Sequence, residues 1–203
     1  MSEIKNLLFD LGGVIMNIRR ENCVAALEAI GIADADEMLG LYAQKGPFAQ
    51  LEDGAITADQ FRNAMRSRAS RPITDSEIDN ALNCFLIGIP RERLRALERL
   101  HGKYNIYMLS NTNPIMFNSK IDAEFRQDGH DVNYYFDGLC LSYVEGCSKP
   151  GAKIFESVLE RFNIRADETL FFDDSQTNID AARAIGFNVQ LVEPGTEFYN
   201  IVE

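Results

Sequence analysis

A short apolar run that ends in an aspartate and two glycines is the feature that most constrains the fold. Two leucines lead into the hexapeptide FDLGGV at positions 9–14, and Asp10 lies inside it. Such a run is typical of a buried strand that enters a tight loop, because glycine reaches backbone angles that other residues avoid. Ligands of open α/β sheets bind at the carboxyl ends of the strands. Asp10 is therefore a candidate nucleophile at a ligand-binding edge.

Strand patterns alternate with helix patterns from about residue 89 onward. Four further strands are predicted, at 105–109, 138–142, 169–172 and 188–192. Helices with one apolar face are predicted among them, at 90–102, 151–162 and 178–185, whereas the stretch 117–136 has a mixed pattern without an assignment. This alternation predicts an α/β fold with a doubly wound, Rossmann-like parallel sheet covered on both faces.

The segment 16–88 has a different pattern and is predicted to be all-helical. Apolar residues at helical spacing predict a first helix from Cys23 to Ile30, and a second begins near Asp34 or Asp36 and includes Leu41 and Tyr42 up to a break at Gly46–Pro47. Capping boxes at 57–60 and 74–77 begin two more helices.

An all-helical block after the first strand of an α/β domain predicts an inserted helical-bundle cap. The expected division is an α/β core of 1–15 and 89–203 with a cap of 16–88. Phe48, Glu52 and Asp53, next to Gly54, are interpreted as a turn without a catalytic role.

Composition excludes several functions. The 203 residues carry a net charge of -11, which repels nucleic acid and anionic membrane surfaces, and no stretch approaches the roughly 18 to 20 apolar residues of a membrane span. The N-terminus shows no signal-peptide pattern, so a cytoplasmic protein is expected.

The four cysteines are far apart and form no CxxC pair, which argues against a zinc site. Three of them lie in apolar patterns and are expected to be reduced core thiols, and Cys147 is expected to be more exposed.

Polar residues at the strand ends form the candidate site. They are Asp10, Ser110, Asn111, Lys149, Asp173 and Asp174. This set fits phosphoryl transfer to a carboxylate: Asp10 attacks phosphorus, Ser110 and Asn111 donate hydrogen bonds to phosphoryl oxygens, and Lys149 neutralises charge. Because carboxylates and a phosphate dianion repel each other by about 4 kcal/mol per pair near 4 Å, a cation is needed. Mg²⁺ prefers such oxygen ligands.

Four motifs in this order resemble those of the haloacid dehalogenase (HAD) superfamily, in its metal-dependent phosphatase branch with a helical cap. They are FDLGGV at 9–14, LSNTN at 109–113, SKP at 148–150 and FFDDSQTN at 171–178. The resemblance covers nearly the whole chain. It implies a Mg²⁺-dependent phosphatase that hydrolyses a small phosphorylated metabolite through an aspartyl-phosphate.

The resemblance also implies roles for particular residues. The metal ligands would be Asp10, the backbone carbonyl of Gly12, and Asp174, which aligns with the acid of the family's Gly-Asp pair. Asp173 and Asn178 would not contact the metal but would hold its ligands in position.

Within the superfamily, the Asp-Leu-Gly start and the Asp-Asp pair look most like the subgroup of α-glucose-1-phosphate phosphatase and the phosphatase domain of epoxide hydrolases. The family's usual general acid, two residues after the nucleophile, is replaced here by Gly12. A phosphate with a good leaving oxygen, such as a sugar 1-phosphate, is therefore expected as substrate.

Two alternatives remain open. A haloacid dehalogenase shares the aspartate nucleophile but attacks carbon without a metal, and Asp174 argues against it. A non-catalytic protein that binds phosphorylated metabolites would fit the loss of the acid at Gly12, whereas retention of Asp10, Lys149 and Asp174 favours chemistry.

Overall fold

The computed structural model describes residues 3–40 and 44–202, and within them the strands form two sheets. In chain order the strands are β1 (Asn6–Phe9), β2 (Asn17–Ile18), β3 (Leu86–Gly88), β4 (Asn105–Ser110), β5 (Gly138–Leu141), β6 (Thr169–Asp173) and β7 (Asn188–Leu191). The larger sheet has the order β5-β4-β1-β6-β7 and all its pairings are parallel. The predicted doubly wound parallel sheet is confirmed.

The helices surround this sheet. They are α1 (Arg20–Ala29), α2 (Ala35–Met38), α3 (Gly46–Glu52), α4 (Ala58–Arg66), α5 (Asp75–Asn83), α6 (Arg91–His101), α7 (Pro114–Met116), α8 (Asp122–Phe125), α9 (Val132–Tyr135), α10 (Ser142–Glu145), α11 (Ala152–Phe162), α12 (Gln176–Ile185) and α13 (Tyr199–Val202).

β1 lies in the middle of the sheet and is buried on both faces. Leu7 and Phe9 pack into one hydrophobic core with α6, and Leu8 packs into a second core with α11 and α12. Because successive side chains of a strand point to opposite faces, a strand buried on both faces is apolar throughout. This explains the continuous apolar run that precedes Asp10.

The prediction of an all-helical segment 16–88 is wrong at its two ends. β2 and β3 lie there and pair with each other in an antiparallel two-stranded sheet. Both strands are too short to show a period of two in the sequence. The division of the chain into a core and a cap at these positions stays a prediction.

The second predicted helix is also corrected. Helix α2 is one turn long, and Leu41 and Tyr42 lie outside the described residues. Gly46–Pro47 is the start of α3 rather than a break, since proline is well accommodated in the first turn of a helix. The capping boxes that begin α4 and α5 are both present.

The stretch 117–136, which had no assignment, is largely helical, with a π-helical turn at Phe117–Ile121 followed by α8 and α9.

The cysteine prediction is partly wrong: Cys23 and Cys140 are buried, but Cys84 is exposed. No helix among the described residues combines the length and apolar character needed to cross a membrane.

Buried and partly buried hydrogen bonds stabilise both connections between the segment 16–88 and the rest of the chain. Arg93 donates to the carbonyl of Ile15 at 3.1 Å and to the side chain of Asn17 at 2.9 Å, and it forms a two-pronged pair with Glu197. Glu124 accepts from the backbone N–H of Ile89 at 3.0 Å. These bonds hold the loop after Asp10 and the return connection against the α/β domain.

Candidate active site

The carboxyl ends of three neighbouring strands meet at one edge of the larger sheet. Asp10 follows β1, Ser110 ends β4 and Asp173 ends β6. The backbone N–H of Asp10 donates to the carbonyl of Phe172 at 2.9 Å, and its Oδ1 accepts from the N–H of Leu11 at 2.7 Å. The predicted nucleophile is therefore held in one orientation at the edge where ligands bind.

Lys149 joins the two buried carboxylates of this edge. Its Nζ lies 2.8 Å from Oδ1 of Asp10 and 2.7 Å from Oδ2 of Asp173, and it donates to the carbonyl of Leu109 at 3.1 Å. Only 5% of Lys149 is exposed. Burial disfavours the ammonium charge, but the attraction of Asp10 and Asp173 outweighs it and raises the pKa of Lys149 above its usual value. Lys149 is thus a permanently charged group inside the site.

Asp173 is completely buried and has its oxygens occupied. Besides Lys149, it accepts from the backbone N–H of Ser175 at 2.8 Å and from Nδ2 of Asn178 at 3.0 and 3.2 Å. A carboxylate with this many donors has little capacity left for a metal ion. Asn178 thus fixes the orientation of Asp173, and the supporting role of both residues at a metal stays a prediction.

Asp174 is exposed and lies next to the glycine loop. An ideal Cβ built on Gly13 would lie 2.1 Å from Oδ2 of Asp174, and Gly13 has a φ of +77°. Gly13 therefore lacks a side chain for two reasons, since a left-handed backbone disfavours L residues and Asp174 occupies the space a side chain would need. The absence of a side chain at Gly13 therefore allows the carboxylate of Asp174 to lie directly against the loop.

Asp10, Asp173 and Asp174 could together hold a metal ion, since one ligand atom from each lies within 4.8 Å of the others. Carboxylate oxygens are the donors that Mg²⁺ prefers. Because Asp173 is engaged by other groups, Asp10 and Asp174 are the carboxylates with free capacity for the ion.

Burial raises the pKa of Asp10 to about 7. Lys149 opposes this effect, while Asp173 and Asp174 add to it through repulsion. A divalent cation beside Asp10 would favour the ionised form and lower this pKa. A bound cation would therefore stabilise the anionic form of Asp10, and the anionic form of Asp10 would in turn favour binding of the cation.

The side chain of Asn111 is engaged by the backbone of Lys149. Its Nδ2 donates to the carbonyl of Lys149 at 2.9 Å, and its Oδ1 accepts from the N–H of Lys149 at 2.9 Å. The side chain thus fixes the loop that carries Lys149, which leaves the backbone N–H of Asn111 as the donor for a ligand. The hydroxyl of Ser110 makes only a 3.5 Å contact with the carbonyl of Asn111 and can turn toward a phosphoryl oxygen.

A cavity of about 610 Å³ opens from these residues toward the segment 16–88. Gly12, Ser110, Lys149 and Asp174 line it at the sheet edge. Residues of α3 and its neighbours line it on the other side: Leu39, Gln44, Phe48, Ala49, Glu52 and Asp53. All six site residues predicted at the strand ends are among the lining residues or in direct contact with one.

Glu52 was not predicted as a site residue. It is the last residue of α3 and lines the cavity, and burial, with a smaller contribution from Asp53, raises its pKa to about 8. A sequence signal existed: Phe48 and Leu51 show helical spacing after Pro47, which marks a helix ending at Glu52 rather than a turn.

Comparison with known proteins identifies the family. A model of the haloacid dehalogenase-like hydrolases matches residues 4–186. The chain belongs to this family. The HAD resemblance read from the four motifs is confirmed.

Among HAD relatives, a D-ribitol-5-phosphate phosphatase of Bacteroides thetaiotaomicron is 37% identical over 195 residues, which cover 96% of this chain and 95% of the relative. A solved HAD family enzyme from the same organism, in complex with magnesium and inorganic phosphate, superimposes with a TM-score of 0.93 at 36% identity and covers 98% of this chain and 100% of its own. Bifunctional epoxide hydrolase 2 of Rattus norvegicus is 26% identical over 196 residues, 91% of this chain but 35% of the relative.

Proposed function

We propose that Asp10 is the nucleophile of this Mg²⁺-dependent phosphatase, which hydrolyses small phosphorylated metabolites. One observation carries the assignment: Nζ of Lys149 lies 2.8 Å from Oδ1 of Asp10, and a carboxylate oxygen of Asp174 lies within 4.8 Å of one of Asp10. Attack by Oδ of Asp10 forms a bond to phosphorus and breaks the bond to the leaving oxygen. Water then attacks the aspartyl-phosphate, which releases inorganic phosphate and restores Asp10.

Asp10, Asp174 and the backbone carbonyl of Gly12 are the proposed ligands of Mg²⁺. When bound, the ion neutralises phosphoryl charge and orients the transferred group. Asp173 and Asn178 contribute indirectly, because they fix Lys149 and the start of α12. Solved HAD relatives with magnesium and phosphate support this use of the site.

The phosphoryl oxygens are proposed to bind three donors. These are the ammonium of Lys149, the hydroxyl of Ser110 and the backbone N–H of Asn111. They lie at the ends of β4 and of the loop before α11, where the paired amide of Asn111 keeps them together. Donors fixed before the substrate arrives stabilise the charge of the transition state without reorganisation.

The segment 16–88 is proposed to be a cap over this site. Its helix α3 lines the same cavity as Asp10, and an ideal Cβ on Gly54 would lie 2.3 Å from the carbonyl oxygen of Tyr143 in α10. The segment therefore packs directly on the α/β domain beside the site. A cap in this position excludes water from the reacting phosphate.

A cytoplasmic location is proposed as well, since all four cysteines are free thiols.

A polyol phosphate is the first substrate to test, because a relative with 37% identity is a D-ribitol-5-phosphate phosphatase. A sugar 1-phosphate, which the missing acid at Gly12 favours, is the second. A dehalogenase reaction is disfavoured by Asp174, which adds negative charge beside a carbon centre that carries a carboxylate of its own. Pure binding without turnover is disfavoured by the intact arrangement of Asp10 and Lys149.

The test is phosphate release from a panel of sugar and polyol phosphates with and without Mg²⁺. Wild-type protein is expected to release phosphate with Mg²⁺ and to stop when EDTA is added. Asp10→Asn is expected to be inactive, whereas Asp180→Asn, an exposed residue on α12, is the matched control and keeps full activity. Release of halide from 2-haloacids in the presence of EDTA would instead establish the dehalogenase.

A further inference from the structure

The side of the cavity formed by the segment 16–88 carries acidic groups and no cation. Lys149 is the only lysine or arginine among the described residues that line the cavity, and its Nζ already binds Asp10 and Asp173 at the sheet edge. Glu52 and Asp53 are the acidic residues on the other side. A second anionic group on a substrate would find no partner there.

Glu52 and the groups around Asp10 reach the cavity from different elements, Glu52 from α3 and the others from the edge of the sheet. The groups that act on the pKa of Asp10 are Lys149, Asp173 and Asp174, whereas the charge that acts on Glu52 is that of Asp53. Glu52 thus lines the cavity from the segment 16–88, whereas the proposed phosphate-binding groups line it from the sheet edge.

The carboxyl group of Glu52 is available to a ligand. Among the described residues no hydrogen bond or ion pair engages it, although it lines the cavity. Gln44 lines the same cavity, and its buried Oε1 has no hydrogen-bond partner within the described part of the chain. Buried acceptors without a partner are rare in folded proteins, and this oxygen is open to a donor from a ligand or from water.

Burial raises the pKa of Glu52 to about 8, which has two consequences for a ligand. At neutral pH the carboxyl group is largely protonated and can both donate and accept hydrogen bonds, as an alcohol group does. The poor solvation that disfavours the charge of Glu52 equally disfavours a carboxylate or phosphate of a substrate at the same position.

Glu52 is held firmly by the packing around α3. Phe48 and Leu51 are buried, and Phe48 contacts the ring of Phe61 edge to face with 5.0 Å between centroids. After Glu52, Gly54 has a φ of +67° and lies against the backbone of Tyr143. This close approach fixes the C-terminal end of α3 over the cavity.

From these observations we infer that Glu52 selects the leaving group: its carboxyl group hydrogen-bonds a hydroxyl of the departing alcohol and excludes substrates with a second anionic group. The inference rests on the proposed phosphatase function and adds the substrate class, monophosphates of small uncharged polyols. Gln44 accepts a further hydroxyl hydrogen. Apolar side chains of Leu39 and Phe48 contact the carbon chain.

The test compares two substrates that differ at one group, glycerol 3-phosphate with a terminal hydroxymethyl and 3-phosphoglycerate with a terminal carboxylate. The quantity is the ratio of their kcat/KM values, with p-nitrophenyl phosphate as a substrate that lacks both groups. Wild-type protein is expected to prefer glycerol 3-phosphate by about 100-fold, because the carboxylate of 3-phosphoglycerate would be poorly solvated there and would have no cationic partner.

Three variants follow. Glu52→Lys is expected to shift the ratio toward 3-phosphoglycerate by about 100-fold, because it replaces a largely neutral carboxyl group with an ammonium group that can pair with the carboxylate of the substrate. Glu52→Gln, which keeps the shape and the hydrogen bonds, is expected to shift it by about threefold to tenfold. Glu28→Lys makes the same substitution at an exposed position of α1 outside the cavity and is expected to keep the wild-type ratio.

An unchanged ratio in both Glu52 variants, with p-nitrophenyl phosphate still hydrolysed, overturns the role of Glu52 and leaves the phosphatase function intact. Equal use of the two substrates by the wild-type protein overturns it as well. Failure of the wild-type protein to hydrolyse any of the three substrates with Mg²⁺ overturns the proposed function together with this inference. Glu52→Gln keeps the test decisive if Glu52→Lys does not fold.

Discussion

Nζ of Lys149 lies 2.8 Å from Oδ1 of Asp10, and both side chains are almost completely buried. The same ammonium lies 2.7 Å from Asp173, so one cation serves two carboxylates. Removal of one partner of a buried ion pair leaves an uncompensated charge, which costs far more than loss of a surface pair. The pair therefore links the nucleophile to the stability of the sheet edge.

Lys149→Ala is expected to lower kcat/KM by about 10³, because phosphoryl charge and the two carboxylates lose their cation. Phosphate release measures the effect, and circular dichroism establishes that the variant is folded. Lys153→Ala, at an exposed position of α11, is the control and keeps its activity. Wild-type kinetics in folded Lys149→Ala would remove Lys149 from the site.

Gly13→Ala is expected to raise the Mg²⁺ concentration needed for half-maximal activity by about tenfold or more. The new Cβ overlaps Asp174, which must move away from the site. Asp174→Asn, which removes the charge without the overlap, is expected to raise the requirement similarly.

Gly146→Ala is the matched control for Gly13→Ala. Gly146 has a φ of +66°, close to the +77° of Gly13, but an added Cβ there meets no atom within 4 Å. It therefore shares the backbone strain, about 1 kcal/mol, without the overlap. An equal change of Mg²⁺ dependence in the two alanine variants would show that strain, and not displacement of Asp174, is responsible.

Glu52→Gln is expected to change the pH dependence of stability. The folded protein keeps the Glu52 proton up to about pH 8, whereas the unfolded chain loses it near 4.5, so the folded state binds more protons between these values. The wild-type free energy of unfolding should therefore fall as pH rises through this window, by about 1 to 2 kcal/mol after allowance for water in the cavity.

Glu52→Gln should lack this fall, and Glu28→Gln, exposed on α1, should retain it. Denaturant unfolding at several pH values measures the difference. Parallel curves for the wild-type protein and Glu52→Gln would mean that Glu52 is as well solvated in the folded protein as in the unfolded chain.

A series of substrates with graded leaving-group pKa tests the consequence of having glycine, and no acid, at position 12. Without an acid there, log(kcat/KM) is expected to depend steeply on the leaving-group pKa, with sugar 1-phosphates and aryl phosphates ahead of primary alkyl esters. Gly12→Asp is expected to make the dependence shallower. A Cβ on Gly12 meets only Ile18, at 3.4 and 3.7 Å, and Gly12 has no positive φ, so the backbone accepts a side chain there. A flat wild-type dependence when chemistry is rate-limiting would mean that another residue supplies the proton.

The parts of the fold that the sequence predicts are those set by local patterns. β1 is buried on both faces and is therefore apolar throughout, and the capping boxes at Thr57 and Thr74 begin their helices as expected. The candidate residues follow strand ends, and a parallel sheet brings all such ends to one edge. Local pattern and topology together were sufficient to locate Asp10.

The remaining features depend on contacts between residues far apart in the chain. β2 has two residues and is stable only through its pairing with β3, about seventy residues later. The amide of Asn111 is used by the backbone of Lys149, and the protonation of Glu52 follows from its burial under packed helices. None of these partners can be read from a window of neighbouring residues.

Trapping of the phosphorylated enzyme tests the central claim, that Asp10 accepts the phosphoryl group, most directly. Protein mixed with substrate and Mg²⁺ is quenched within one turnover and treated with borohydride, which reduces an acyl phosphate of aspartate to homoserine. Peptide mass spectrometry is expected to find homoserine at position 10 in the wild-type protein and unmodified asparagine in Asp10→Asn. Phosphate release without any homoserine at position 10, or with homoserine at position 173 or 174, would contradict the account.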